Sequence, residues 1–536
     1  MLLCDTALAG HQKCFRMKIS QIDYSATHAF SPLVTDYLQQ KNNLASFYHR
    51  FPTLENFQLQ ISEKQFTPEQ RTLLCEELER QYALLPEVQA GVRKNLDLLK
   101  QPNTFTITTG HQLSIFTGPL YFIYKIITAI KTAQQLQQQY PDYNFVPVYW
   151  MATEDHDFAE INHFTLFGKT YTWETDQKGA VGRFKTDSIS SLIKSLPESY
   201  PLFEKAYTEF GTLSAATRFL AHELFGEFGL ISIDGDAPAL KKALQPVVKN
   251  ELLEQTTFKL VNATTEKLAA AGYKTQVTPR EINLFYLDNG LRERLVLKEG
   301  RYQVLNTDLS FSQEEILHLA ETQPEKFSPN VILRPLYEEI LLPNLCYIGG
   351  GAEVAYWFQL KEVFQFFKVP FPVIMLRNSG LYIAKNQATR MHKLNLQATD
   401  LFQDLPALKK QVTATYQEKE LNLEEERKQV EAVFAGIEKL VATIDPTLSR
   451  TVAAEAQKTH NSLMVLEKKI VKANDTKYET IYNQLTSLRD KLFPNGTLQE
   501  RVENLLTYQT NNSEFIRDLY EAFEPFAAKF TILEEE

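Results

Sequence analysis

The stretch from Thr104 to Asp157 constrains the fold more than any other part of this sequence. TFTITTGHQ is a β-branched run that closes on a glycine, the pattern of a strand leading into a turn. FTGPLYFIYKIITAIKTAQQLQQQ then has the composition of a helix, and NFVPVYWMATEDHD is a second apolar strand with a polar exit. Strand, turn, helix and strand in this order make a βαβ unit, whose right-handed crossover forces its two strands to pair in parallel. Thr117 is placed to cap the intervening helix, and Pro119 to sit in its first turn, where a missing N–H costs nothing.

Further units extend the pattern. Phe228 to Asp234 is a strand ending in the acidic turn DGDAP. LLPNLCYIGGGAEVAYWFQLKEVFQFF reads as strand, triple-glycine turn and helix, and VPFPVIML as another strand. INLFYLDNGLRERLVL is a hairpin turning at Asp288-Asn289-Gly290, and its antiparallel character marks it as an insertion. The fold class expected for the core is therefore α/β, with a doubly wound parallel sheet interrupted by inserted segments.

Beyond Ile383 glycine nearly vanishes. Leu423, Val430, Val433, Ile437, Leu440 and Ile444 follow a three–four spacing, Asp445-Pro446 breaks it, and Val452, Ala456, Leu463, Leu466 and Ile470 resume it. Two long helices joined by a proline turn predict an antiparallel α-helical coiled-coil arm, and the pattern leaves open whether it also meets a second copy of the chain. The expected domains are a core over 17–382, with insertions near 165–225 and 255–325, an arm over 383–492, and helices and a strand over 493–536 that return to the core. Residues 1–16 precede a plausible start at Met17 and read as a non-native or disordered extension.

With 44% apolar and 23% charged residues the chain is an ordinary globular protein, and no window is apolar enough to span a bilayer. The four cysteines lack metal-ligand spacing and do not suggest a disulfide scaffold, which points to a reducing cytoplasm. A net charge of -10 argues against a nucleic-acid footprint.

Ligands of doubly wound sheets bind outside the carboxyl ends of the strands, and three loops there carry candidate chemistry. In TTGHQLSIFTGP, Gly110 and Gly118 permit close backbone approach, Thr117 and the helix start can hold an anion, and His111 and Gln112 can donate hydrogen bonds. In MATEDHDFAEINH, the acids Glu154, Asp155 and Asp157 crowd around His156, with Asn162 and His163 beyond. Clustered carboxylates need a counter-charge. The pattern leaves open a metal held by the histidines and acids, helix capping, and direct recognition of an ammonium or of hydroxyls. In the third loop, Arg334 can pair with an anion, and Gly350 opens a helix that carries Glu353, Tyr356 and Trp357.

TGHQLSIFTGPLYFIYK, EDHDFAEINH, FSPNVILRPLYEE, LLPNLCYIGGGAEVAYWFQL and the coiled-coil arm, in that order, resemble the cysteine ligase (BshC) family of bacillithiol biosynthesis. The resemblance runs from about Met17 to the end. It implies a Rossmann-like core, dimerisation through the coiled coil, a cytoplasmic location and no membrane or nucleic-acid partner. It also implies formation of an amide between cysteine and the amine of glucosaminyl-malate. A carboxylate does not acylate an amine unaided, so ATP is the expected activator, with a magnesium ion accompanying the nucleotide and no dedicated metal site.

Fitted to that reaction, His156, Asp155, Asp157 and His111 are the candidate catalytic residues. Gly110, Gln112, Thr117, Gly118, Glu154, Asn162, His163, Arg334, Gly350, Glu353, Tyr356 and Trp357 are the candidate binding residues, and Arg334 or Arg377 would meet the malyl carboxylates. The layout also suggests class I aminoacyl-tRNA synthetase domains by analogy of fold. The competing readings are a metal-dependent hydrolase or deacetylase built on the EDHD histidines, and a coiled-coil scaffold without catalysis.

Overall fold

The computed structural model describes residues 17–416 and 422–536; the expected extension over 1–16 lies outside the described residues. Two compact units are present. One comprises Ile19–Leu381 with Thr497–Leu533, and Tyr382–Gly496 with Glu534–Glu536 make up most of the other.

The first unit is built on the β-branched and apolar runs that lead into the glycine turns. In chain order its elements include β1 (Thr104–His111), α1 (Tyr121–Gln139), β2 (Asn144–Met151), β3 (Ile231–Asp234), β4 (Leu284–Asp288), β5 (Leu291–Lys298), β6 (Arg301–Val304), β7 (Ser310–Phe311), β8 (Phe327–Pro329), α2 (Arg334–Leu341), β9 (Asn344–Gly349), α3 (Gly351–Trp357) and β10 (Val373–Leu376). The central sheet has the order β10-β9-β1-β2-β3, and every pairing in it is parallel. Its strands are buried along nearly their whole length, as a sheet covered on both faces requires. Phe105 and Ile107 of β1, Leu345 and Ile348 of β9, and Ala129, Ala133 and Leu136 of α1 share one apolar cluster with Phe57 and Ile61 of the helix Leu54–Glu63. On α2, Tyr337 packs edge-on against Trp150 of β2.

The strand order reverses between β1 and β9. The chain leaves β1 toward β2, but leaves β9 toward β10 on the other side, so the loops diverge and open a crevice at the carboxyl ends of the strands. The expected hairpin forms as β4 and β5 and belongs to a separate antiparallel sheet of order β7-β6-β5-β4-β8. Helix α1 begins later than its sequence suggests. Leu120 is its N-cap, while Thr117 and Gly118 close a short 3-10 turn at positive φ (66° and 61°). Asn504 ties this turn down, its side-chain amide donating to the carbonyls of Phe116 and Gly118 at 2.7 Å each.

The second unit carries the arm: α4 (Glu424–Ile444), a turn over Pro446–Leu448, and α5 (Ser449–Leu492). The Asp445 side chain caps the turn through the Thr447 N–H at 2.9 Å. The Arg427–Glu467 ion pair and the His460–Glu431 contact show the antiparallel register, since one index rises as the other falls. At 44 residues α5 is about 66 Å long, roughly twice the length of its partner. No helix among the described residues is long and apolar enough to cross a membrane.

Candidate active site

A cavity of about 630 Å³ lies in the crevice at the end of β1 and β9. One wall comes from the parallel sheet and its helices, through Gly110, His111, Lys125, Arg334, Tyr347, Glu353 and Tyr356. The exit of β2 adds Trp150 through His156, and the antiparallel sheet adds Phe285, Arg292 and Arg294.

The floor is a network of buried charges. The Lys125 ammonium donates to the Gly110 carbonyl at 2.8 Å and pairs with Glu353. Burial lowers the lysine's pKa, with Glu353 opposing. Burial also resists ionisation of Glu353, but Lys125, the Gly350 N–H at 2.8 Å and the Tyr347 hydroxyl at 2.7 Å outweigh it and hold the carboxyl below its usual range. Arg334, at the start of α2, donates to Glu338 at 2.5 Å, to Tyr356 Oη at 3.2 Å and to Tyr347 Oη at 3.4 Å. Burial lifts Glu338 to about 8 even with Arg334 beside it. Arg334 and Glu338 remain a hydrogen-bonded buried pair, with burial and the neighbouring Glu339 working against ionisation of the carboxyl. Gly110 makes this approach possible, because a Cβ there would lie 3.0 Å from Tyr347 Oη and 3.3 Å from an Arg334 guanidinium nitrogen.

His111 ends β1 with its ring stacked on Phe122 (4.9 Å between centroids) and its Nε2 buried without a partner. Burial, reinforced by Lys125 and Arg377, pushes its pKa well below the ordinary histidine value, so the ring is neutral.

Of the three acids expected there as concentrated charge, Glu154 and Asp155 are engaged. Glu154 pairs with Lys241, whose ammonium also donates to the Phe327 carbonyl at 3.0 Å. Burial, opposed by Lys241, raises the Glu154 pKa. Asp155 accepts from the His156 N–H and from the Gln112 amide, both at 2.7 Å. Burial resists its ionisation, but these bonds and the nearby Arg292 guanidinium hold it far below the usual carboxylate range. Gln112 uses its other amide hydrogen on Glu160, also at 2.7 Å.

The cavity thus brings together His111, His156, Gly110, Gln112, Glu154, Asp155, Arg334, Glu353 and Tyr356. The remaining expected residues lie off its wall. Asp157 is exposed and makes no side-chain cap to the one-turn helix that follows. Asn162 and His163 bond to each other at 3.0 Å. Thr117 and Gly118 are turned into the packing by the 3-10 turn, so the expected anion cradle at the start of α1 does not form there; Thr117 Oγ1 is buried without a partner. Gly350 reaches the site only through its N–H to Glu353, and Trp357 is core, packed 4.6 Å from the Tyr347 ring. Arg377 is committed to Glu500 at 2.7 Å.

Residues that sequence reasoning passed over include Lys125, Tyr347 and Arg292. The signal for Lys125 was a charge inside the apolar run FIYKIITAI. The signal for Arg292 was the alternation LRERL in a hairpin strand, which puts Arg292 and Arg294 on one face.

The match to known proteins is extensive. Residues 17–378 match the model described as "Bacillithiol biosynthesis BshC, N-terminal Rossmann-like domain", and residues 380–535 match "Bacillithiol biosynthesis BshC, C-terminal coiled-coil domain". The chain belongs to the BshC family. A BshC relative from Flavobacterium psychrophilum is 43% identical over 526 residues, covering 96% of this chain and 98% of its own length. One from Cytophaga hutchinsonii is 41% identical, covering 95% and 97%, and one from Natranaerobius thermophilus is 30% identical, covering 86% and 85%. All three carry the name "Putative cysteine ligase BshC". A solved structure titled as a putative arginyl-tRNA synthetase from Campylobacter jejuni overlaps at a TM-score of only 0.23 with 11% identity, covering 82% of this chain and 99% of that one. The BshC matches support the Rossmann-like core and the coiled-coil arm as this chain's fold.

Proposed function

We propose that this chain is a cysteine ligase that joins the carboxylate of L-cysteine to the amine of glucosaminyl-malate, forming an amide with ATP as the activating co-substrate. Its relatives' name supports the ligase class. The observation that carries the reading is the grouping, in one crevice cavity, of a neutral buried imidazole with the Lys125 and Arg334 cations around the open backbone of Gly110.

Each group has a task in that reaction. Arg334 and Lys125, beside the open backbone of Gly110, stabilise negative charge on the activated carboxyl and its leaving group. His111, neutral and with Nε2 unpartnered, can accept a hydrogen bond from the attacking amine and orient it, the amine entering in its deprotonated form. ATP supplies the activation that a free carboxylate lacks. Glu154, paired with Lys241, and Asp155, near Arg292, are ionic anchors of the cavity wall. We further propose a cytoplasmic homodimer, because the arm leaves Val433, Leu440 and Ile444 at least 60% exposed on a single copy.

Purified protein incubated with glucosaminyl-malate, cysteine and ATP, followed by mass spectrometry, tests the reaction. The amide thiol should appear together with AMP or ADP. Product without nucleotide consumption removes ATP from the scheme, and no product with all three present removes the ligase reading.

A further inference from the structure

The charges around the cavity do not cancel. Glu154 is paired with Lys241, Asp155 with Gln112 and Arg292, and Glu353 with Lys125. Arg292 is fully committed, to Ser328 Oγ and the Pro329 carbonyl at 3.1 Å each and to His156 at 2.7 Å. Two further guanidinium groups line the same cavity, on Arg280 and Arg294. Neither has a hydrogen bond or ion pair through its side chain among the described residues, and Nε of Arg294 is buried without an acceptor. A buried donor without an acceptor is costly, and a guanidinium has no acceptor capacity with which to compensate.

Arg294 is half-buried and its placement is built, while Arg280 is exposed with its backbone anchored at the cavity edge. Arg294 pairs across the ladder with Phe285 and lies two residues from Arg292 on β5, so its direction is set by the pleat. Arg280 precedes β4, with its N–H donating to Asn283 Oδ1 at 3.0 Å and its carbonyl accepting from Asn283 Nδ2 at 2.8 Å. Asn283 is anchored in turn by buried Glu251 at 2.7 Å. Arg294 belongs to the antiparallel sheet and Arg280 to the segment leading into it, whereas Lys125 and Arg334 lie on the helices that flank the parallel sheet.

We propose that Arg280 and Arg294 form a dicarboxylate subsite that holds the malyl arm of the amino-sugar acceptor. Two forked guanidinium groups offer bidentate geometry to two carboxylates. With that arm fixed on the antiparallel sheet, the sugar amine is directed across the cavity to His111, and the floor is left for the acyl donor. The inference rests on the ligase reading for the identity of the acceptor, and it replaces Arg334 and Arg377 as the anchors for malate, since Arg377 is held by Glu500 and Arg334 by Glu338.

Isothermal titration of the full-length protein with glucosaminyl-malate, its dimethyl ester, and ATP tests the assignment without requiring turnover. Wild type should bind the diacid and lose affinity for the diester. Arg280→Gln and Arg294→Gln should each weaken diacid binding about tenfold or more while leaving ATP binding unchanged. In turnover, each should raise KM for the acceptor more than it lowers kcat, and Arg294→Lys should recover part of the loss. Diacid binding unchanged in both variants overturns the subsite while leaving the ligase reading intact. Weakened ATP binding instead assigns these arginines to phosphate and also overturns it. No diacid binding by wild type overturns the reading and the subsite together. Circular dichroism identifies a variant that has lost its fold, in which case Arg294→Lys carries the test.

Discussion

Nδ1 of His156 lies 2.7 Å from a guanidinium nitrogen of Arg292, a residue 136 positions away in the chain. Arginine can only donate, so Nδ1 accepts and the neutral ring carries its proton on Nε2. The His156 ring also sits 5.2 Å from that of Phe285, over which the Arg292 guanidinium lies at 3.9 Å. His156 therefore presents a donor to the cavity.

Arg292→Lys keeps a charge but loses the fork that holds Ser328, Pro329 and His156 together. The variant should lose on the order of 1–3 kcal/mol of stability, because buried acceptors are left unpaired. Its kcat/KM should fall at least about tenfold as His156 is released. Thermal melts beside steady-state assays of thiol product measure both; unchanged values in the two assays would show that Arg292 positions nothing.

Gly110→Ala separates stability from function. The strand backbone accepts alanine, but the new methyl would crowd Tyr347 Oη at 3.0 Å and the Arg334 guanidinium at 3.3 Å. We expect a melting temperature within a few degrees of wild type and a marked loss of kcat, as both groups are pushed off the cavity floor. A fully active variant would remove Arg334 and Tyr347 from the proposed chemistry.

The buried neutral His111 makes stability depend on pH with a definite sign. Its folded pKa lies well below the ordinary value, so below about pH 6.5 the unfolded state binds a proton that the folded state refuses. Its contribution is absent above that pH and becomes destabilising as pH falls, by up to about 1.4 kcal/mol per unit. His111→Gln should flatten this part of the stability curve in urea titrations between pH 5 and 7. A wild-type slope that survives the substitution would assign the pH dependence to other groups.

The arm should pair two copies. Val433 and Leu440 are 62% and 60% exposed on α4 of a single chain. Light scattering after size exclusion should show a dimer for wild type and a monomer of unchanged helicity for Val433→Glu combined with Leu440→Glu. A wild-type monomer at micromolar concentration would rule out pairing through the arm.

Local pattern carried much of the architecture, because the features involved are set by neighbours in the chain. β-Branched runs, the glycines at 110 and 349–351 and the Asn289-Gly290 turn already placed the strands, the crossover helix and the hairpin. The three–four spacing on either side of Asp445-Pro446 likewise placed the two arm helices. Thr117 shows where local reasoning ended. It has the right residue type for a cap, but Asn504, remote in sequence, holds its turn in another conformation.

By itself the sequence determined the order of strands and helices, the antiparallel arm and the loops in which polar groups gather, since periodicity and turn chemistry are short-range. Only the tertiary structure decided which of those groups face one another. Asp155 lines the cavity while Asp157, two residues on, is exposed; Glu154 is neutralised by Lys241, 87 positions away; and Arg292 of an inserted hairpin sets the His156 tautomer. Charge pairing depends on distance in space and on burial, and neither can be read from spacing along the chain.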